Sequence, residues 1–143
     1  MSVPALPVTL APALSGRDAV ADALYRAVVA LDTADDALFK SAFTTDAVLD
    51  PMLYHAHQIG HQPLLSNMRI NITEGDSKAQ VTCSALSQHY RGGEGMNPSS
   101  DFLLAGGLYW VELVKDSGDG LWKIKHWTLK STWGQGDWGI LGK

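Results

Sequence analysis

The sequence predicts an α+β fold in which helices come first and a mostly antiparallel sheet follows. In the first third of the chain, apolar residues recur at helical spacing, for example at Val20, Leu24 and Val28. From Leu64 onward, apolar and polar residues alternate, as they do in strands with one buried face. Glycine and aspartate cluster at residues 116–120, between two long alternating segments, and such clusters are typical of hairpin turns. Together these patterns indicate a curved sheet covered by N-terminal helices.

Caps, periodicity and turn residues define the individual elements. Ser15 with Asp18 three positions later predicts the start of one helix, and Thr33 with Asp36 predicts the start of a second. Pro51 ends a short strand at 47–50. Further strands are predicted from residue 64, at 78–90, at 103–115 and from the turn at 116–120 almost to the C-terminus, with a hairpin at 74–77 and a loop at 91–100.

Composition limits the possible functions. The 143 residues suffice for one domain, which we place at 16–143 behind a flexible N-terminal arm at 1–15. A net charge of −4 offers no basic stripe for nucleic acid, and no apolar run approaches the roughly 20 residues that span a bilayer. The single cysteine, Cys83, excludes an internal disulfide and fits a reducing compartment. We therefore expect a cytoplasmic protein that binds neither nucleic acid nor membranes.

Small residues line one face of two neighbouring predicted strands. Alternation over 78–90 places His89 at the end of such a row, and the next strand brings Tyr109 onto a similar row. The rows consist of Ala79, Val81, Cys83, Ala85 and Ser87 on one strand and of Ala105 and Gly107 on the other. Small side chains leave a hollow unless the helices pack closely onto them. The sequence leaves both possibilities open.

Several segments resemble, in order, those of a known family. They are LDTADD at 31–36, FTTDAVLD at 43–50, LSNMRI at 65–70, QHY at 88–90, DGLWKI at 119–124 and WGQGD at 133–137. With these segments, nearly the whole chain after residue 16 resembles the SnoaL-like branch of the nuclear transport factor 2-like superfamily. The resemblance implies a cone-shaped curved sheet that encloses a pocket, with helices closing its mouth. The C-terminal half is similar to fungal scytalone dehydratase and to fungal isomerases and cyclases of secondary metabolism. The resemblance implies an acid/base enzyme that acts on a small molecule without metal or cofactor.

The resemblance also implies roles for particular residues. Asp32 matches a pocket aspartate of the dehydratase and His89 matches a pocket histidine, whereas Tyr109 falls where the dehydratase has an asparagine. The departures are as informative: Leu31 and Pro51 stand where the dehydratase has tyrosines, and Pro63 stands near the place of its other histidine, two residues from His61. The pocket is therefore expected to be retained with different chemistry.

Four residues are the catalytic candidates. His89 is the preferred general acid/base, because its unperturbed pKa lies near working pH. Asp32 and Asp50 are candidate bases, although either could instead serve as a helix cap or turn residue. Tyr109 could donate a hydrogen bond to a developing enolate or alkoxide, or could fill the cone.

Five further residues are candidates for substrate binding: Tyr25, His61, Phe102, Trp122 and His126. Simple alternation places His126 on the same strand face as Trp122 and Ile124. It places Trp127 and Leu129 on the opposite face, where they would suit the contact of a homodimer.

Histidines near the middle of the chain do not indicate a metal. His55, His57 and His61 lie on an irregular stretch, where they would not converge as a helical pair does, and no carboxylate or cysteine set completes a site. Only residues 51–57 separate Asp50 from Gln58, where the family usually has a further strand and a longer helix. The lid over the pocket is thus expected to be shortened, or the sequence lacks a segment there.

Two classes of function compete. The first is an isomerase, cyclase or dehydratase that shuttles protons on a polycyclic secondary metabolite (a polyketide, terpenoid or alkaloid). The second is a non-catalytic member of the same fold that binds a small molecule or forms a dimeric interaction module. A hollow interior with ionisable groups on its wall favours the first, and an interior filled by Tyr109 and Trp122 favours the second.

Overall fold

A computed structural model describes residues 3–51, 60–73 and 75–142, except for the side chains of residues 60 and 61. Two helices precede five strands and a short 3-10 helix. They are α1 (Gly16–Thr33), α2 (Asp36–Ala42), β1 (Phe43–Leu49), β2 (Gly60–Thr73), β3 (Lys78–Tyr90), β4 (Phe102–Lys115), β5 (Trp122–Gly136) and the 3-10 helix Trp138–Leu141. No helix in these described residues is long and apolar enough to cross a membrane. The predicted α+β order is confirmed.

The first helix begins where the sequence predicts, whereas the second begins later than predicted. Ser15 is the N-cap of α1, yet its side chain makes no capping hydrogen bond. Thr33 lies inside α1, where its hydroxyl donates to the Val29 carbonyl at 2.7 Å. Ala34 ends the helix with a positive φ of 54°, and Asp35 caps α2 by accepting from the Leu38 N–H at 2.9 Å. The capping motif was therefore placed two residues too early.

The five strands form one mixed sheet in the order β1-β5-β4-β3-β2. β1 runs parallel to β5, and the other neighbouring strands are antiparallel. β1 and β2 begin earlier than predicted, at Phe43 and Gly60, whereas the bounds of β3 are confirmed. Because β1 and β2 are the two edges of the sheet, the chain between Pro51 and Gly60 joins one edge to the other.

A β-bulge in β5 changes which side chains face the core. Ile124 lies opposite Leu113 and His126 lies opposite Glu112, so Lys125 is an extra residue without a partner on β4. An extra residue reverses the alternation that follows it. Trp127 is therefore buried, and His126 lies on the outer face. The prediction that His126 shares a face with Trp122 and Ile124, and Trp127 the opposite one, is wrong for this reason.

Arg26 joins the helices to the sheet from a buried position. Its guanidinium donates to the Asp22 carboxylate at 2.9 Å, to the Ser41 carbonyl, to the Ser41 hydroxyl at 3.0 Å and to the Trp122 carbonyl at 2.8 Å. These bonds link α1, the end of α2 and the start of β5. A buried charge needs such complete pairing, and here the pairing holds the helices over the inner face of the sheet.

Candidate active site

His89 lies on the inner face near the end of β3 and is only 6 % exposed. Its Nδ1 atom is 3.2 Å from the carbonyl oxygen of Leu103, the residue directly opposite on β4. Because a carbonyl can only accept, Nδ1 carries the proton of the neutral ring, and Nε2 is then the basic nitrogen. Burial lowers the pKa of His89, although the bond to Leu103 acts in the other direction. The ring is thus held neutral and oriented as a base.

Tyr109 lies on the inner face of β4, opposite Cys83, and is 3 % exposed. Burial raises the pKa of Tyr109 to about 12, a hydrogen bond with the Ser87 side chain opposes that shift, and Cys83 and Asp50 add to it. The phenol is therefore neutral and suited to donating a hydrogen bond rather than to acting as a base. Burial also raises the pKa of the Cys83 thiol to about 11, so this buried cysteine is a poor nucleophile at neutral pH.

Ser87 connects Tyr109 to the His89 end of β3. It is buried on the inner face, two residues before His89, and lies opposite the small Ala105. Ser87 was predicted to belong to the row of small residues but not to the site. Its polar side chain between Ala85 and His89 was the signal that could have identified it.

Asp50 follows β1 and lies close enough to Tyr109 to influence it. Its backbone N–H donates to the Trp127 carbonyl at 2.9 Å, and its charge contributes to the raised pKa of Tyr109. The side chain is half-buried and has an interaction partner. The structure therefore brings Asp50, Tyr109 and Ser87 together, with His89 beyond Ser87.

Asp32 lies in the last turn of α1, and its side chain is accessible to solvent. Desolvation nevertheless raises the pKa of Asp32 to about 6. A carboxyl can touch water and still have fewer water molecules around it than in bulk, which disfavours its ionised form. Because solvent also screens this exposed group, its effect on stability is small.

The structure separates the predicted substrate-binding residues. Trp122 is buried in the main core and belongs to the packing that holds the fold. Tyr25 lies on α1 and is 48 % exposed. The side chain of His61 lies outside the described residues, as do His55 and His57, although the His61 backbone lies opposite that of His89.

Two of these residues lie on the outer face of the sheet. His126 is 46 % exposed, and its Nδ1 is 3.4 Å from the Glu112 carboxylate. Phe102 contacts the Tyr90 ring at a centroid distance of 6.5 Å and lines an outer groove of about 350 Å³. Neither side chain lies on the inner face with His89 and Tyr109, and their role in substrate binding stays a prediction. The bulge in β5 places His126 on the outer face. Phe102 lies on the outer face because the next residue, Leu103, is buried and successive side chains of a strand point to opposite faces.

Part of the row of small residues is filled rather than hollow. A Cβ atom at Gly107 would lie 2.5 Å from the Lys130 carbonyl oxygen, because β5 approaches β4 closely where its register shifts. Ala105 is buried in a cluster with Leu103 and with Ile140 and Leu141 of the 3-10 helix. These two positions therefore do not line a cavity. A chamber beside His89, Ser87 and Tyr109 stays a prediction.

Residues 51–128 match the SnoaL-like domain family. The chain belongs to the SnoaL-like domain family.

Two relatives of this SnoaL-like protein illustrate its sequence and fold. It is 65% identical, over 157 aligned positions and the full length of both chains, to terrestric acid biosynthesis cluster protein E of Penicillium crustosum. Its fold is similar to that of a protein from Novosphingobium aromaticivorans DSM 12444 assigned as a scytalone dehydratase, with a TM-score of 0.67, 19% identity and coverage of 83% of this chain and 85% of that one. The predicted cone-shaped fold of this family is confirmed.

A hexachlorocyclohexane dehydrochlorinase from Novosphingobium barchaimii LL02 has the same fold. Its TM-score is 0.66, with 14% identity and coverage of 87% of this chain and 91% of that one. At this level of identity the similarity shows the fold alone.

The alignment to the Penicillium crustosum protein also bears on the expected shortening near Asp50. It spans 157 positions and includes all 143 residues of this chain, so at least 14 positions have no residue here. Residues 52–59, where that shortening was expected, lie outside the described residues.

Proposed function

We propose that this SnoaL-like protein is an acid/base enzyme, an isomerase, cyclase or dehydratase, that moves protons on a polycyclic secondary metabolite. The observation that carries the proposal is the hydrogen bond from His89 Nδ1 to the Leu103 carbonyl. This bond assigns the basic role to Nε2 of a buried, neutral imidazole. A buried, neutral imidazole with a fixed tautomer can accept a proton from a bound substrate at neutral pH.

The neighbouring groups suit the remaining steps of a proton transfer. The neutral phenol of Tyr109 can donate to an oxygen that gains negative charge when a proton leaves the adjacent carbon. Asp50 lies near that phenol, and Asp32, with its pKa of about 6, is ionised at neutral pH, so either carboxylate can accept or return a proton. Neither step requires a cofactor.

The substrate class is proposed from sequence similarity. The Penicillium crustosum relative is named for a terrestric acid biosynthesis cluster, and this chain is 65% identical to it over its full length. We therefore place the protein in fungal-type secondary metabolism, with a small oxygenated metabolite as substrate.

Complementation tests this function directly. This chain would be expressed in a Penicillium crustosum strain that lacks the relative, and terrestric acid would be measured by mass spectrometry. We expect production to return with the wild-type chain and with His126→Asn, which changes a histidine on the outer face, but not with His89→Asn. Equal production with both variants would contradict the role of His89. Purified protein that leaves the metabolite accumulated in the deletion strain unchanged would contradict the enzymatic function.

A homodimer is the second part of the proposal. The outer face of the sheet exposes the large apolar side chains Leu86, Leu108 and Trp110, which are the residue types that interfaces bury. This face replaces the predicted contact through Trp127, which lies in the core. Sedimentation of the wild type as a dimer and of Trp110→Glu as a monomer would support the interface. A monomeric wild type would refute it and would also weaken the alternative of a dimeric, non-catalytic module.

A further inference from the structure

Trp127 carries a buried polar group that the proposed mechanism does not use. The residue is 1 % exposed, and its indole Nε1–H has no hydrogen-bond partner among the described residues. Buried donors without acceptors are rare in folded proteins because they lose their bond to water and gain nothing in return. The Thr44 hydroxyl is also buried without a hydrogen-bond partner among the described residues. That hydroxyl can rotate about one bond, whereas the indole is held in place by its neighbours.

The surroundings of Trp127 place it beside the proposed catalytic groups. Its ring meets the Tyr109 ring edge to face, with a centroid distance of 5.1 Å and an interplanar angle of 80°, and stacks on Phe43 at 6.2 Å. Its backbone carbonyl accepts from the Asp50 N–H at 2.9 Å. The bulge at Lys125 is what turns this side chain inward. Trp127 is thus fixed between Tyr109 and the end of β1.

We propose that the Trp127 Nε1–H binds an oxygen of the substrate, next to the oxygen held by the Tyr109 phenol or sharing it. An indole N–H can only donate, so the ligand must present an acceptor: a carbonyl, carboxylate or enolate oxygen. The donor is neutral at all working pH values, and it gains most from an oxygen whose negative charge increases during proton abstraction. This inference rests on the proposed function and adds the chemical class of the group that the substrate presents.

A different partner for the same N–H is also testable. An edge-to-face contact can direct an indole N–H at the face of an aromatic ring, which gives a weak hydrogen bond. In that arrangement the Trp127 proton would lie over the Tyr109 ring and would resonate upfield. It would move when Tyr109→Leu removes the ring.

The experiment observes the indole N–H signals of protein labelled with 15N-tryptophan. The variant Trp127→Phe assigns the signal, and the metabolite that accumulates in the Penicillium crustosum deletion strain is the probe. We expect the Trp127 signal to move downfield on binding. We also expect kcat/KM to fall about tenfold or more in Trp127→Phe, while Trp138→Phe on the surface changes it less than twofold.

Each other outcome overturns the inference in a distinct way. If the wild type converts the metabolite while the Trp127 signal stays in place, the inference fails and the proposed function stands. If the wild type neither binds nor converts it, both fail. An upfield signal that is lost in Tyr109→Leu would show that the ring is the partner. Because the signal is read in the wild type, the test does not depend on the stability of Trp127→Phe.

Discussion

The hydrogen bond between Tyr109 and Ser87 provides a test that separates stability from catalysis. Tyr109→Phe removes one hydroxyl and leaves the buried Ser87 without its partner, while Ser87→Ala leaves the buried phenol without its own. A buried polar group that loses its partner costs about 1–3 kcal/mol, whereas removing both partners is nearly neutral. Each single variant should therefore lower the free energy of unfolding by about 1–3 kcal/mol.

The double variant decides whether this bond exists as described. Tyr109→Phe with Ser87→Ala should be no less stable than either single variant, which corresponds to a coupling energy on the order of 1–2 kcal/mol. Urea denaturation measures the three values, provided that the slope with denaturant is unchanged. Tyr90→Phe makes the same chemical change on the outer face and should alter stability by less than about 0.5 kcal/mol.

Catalysis should not follow the same pattern. Loss of the phenol removes a donor to the developing oxyanion, so Tyr109→Phe and the double variant should lose about 10²–10³ in kcat on the accumulated metabolite. Ser87→Ala keeps the donor and should retain most of the activity. Additive stability losses in the double variant would refute the hydrogen bond. Full activity of Tyr109→Phe would refute the catalytic role of the phenol.

The remaining predictions concern pH, a buried charge and a close approach of two strands. Because the pKa of Asp32 is raised to about 6, the folded state disfavours its ionised form, and stability from this group is lost as pH rises from about 4 to about 6. Activity that needs the carboxylate should rise with pH through a midpoint near 6, and a profile unchanged in Asp32→Asn would exclude Asp32 as the group observed. Arg26→Met should lower the free energy of unfolding, measured by urea denaturation, by about 3–5 kcal/mol, because it leaves the Asp22 carboxylate and the Trp122 carbonyl without the guanidinium. A loss below about 1 kcal/mol would contradict the buried network. Gly107→Ala should lower the melting temperature, since its Cβ atom would overlap a backbone carbonyl, while Gly92→Ala, which meets nothing within 4 Å, should not; equal effects would refute the close approach.

Local pattern in the sequence was enough to predict the class of fold and one face of the central sheet. The two-residue period over 78–90 placed Ser87 and His89 on the buried side, and the structure confirms the strand and its burial pattern. This succeeded because the period of a regular strand depends only on its own backbone. Turn residues at 116–120 marked the last hairpin for the same reason.

Pairing between distant segments decided the rest. The bulge at Lys125 depends on how β5 aligns with β4, and it moved Trp127 into the core and His126 out of it. The backbone of β5 fills the space over Gly107. The hydrogen bond from His89 to Leu103 exists only because the pairing of β3 with β4 places these two residues opposite each other. Register, bulges and cross-strand hydrogen bonds are properties of two strands at once, so no periodicity within one strand can reveal them. The sequence by itself determined which residue types reach the interior, and the tertiary structure decided which of them meet.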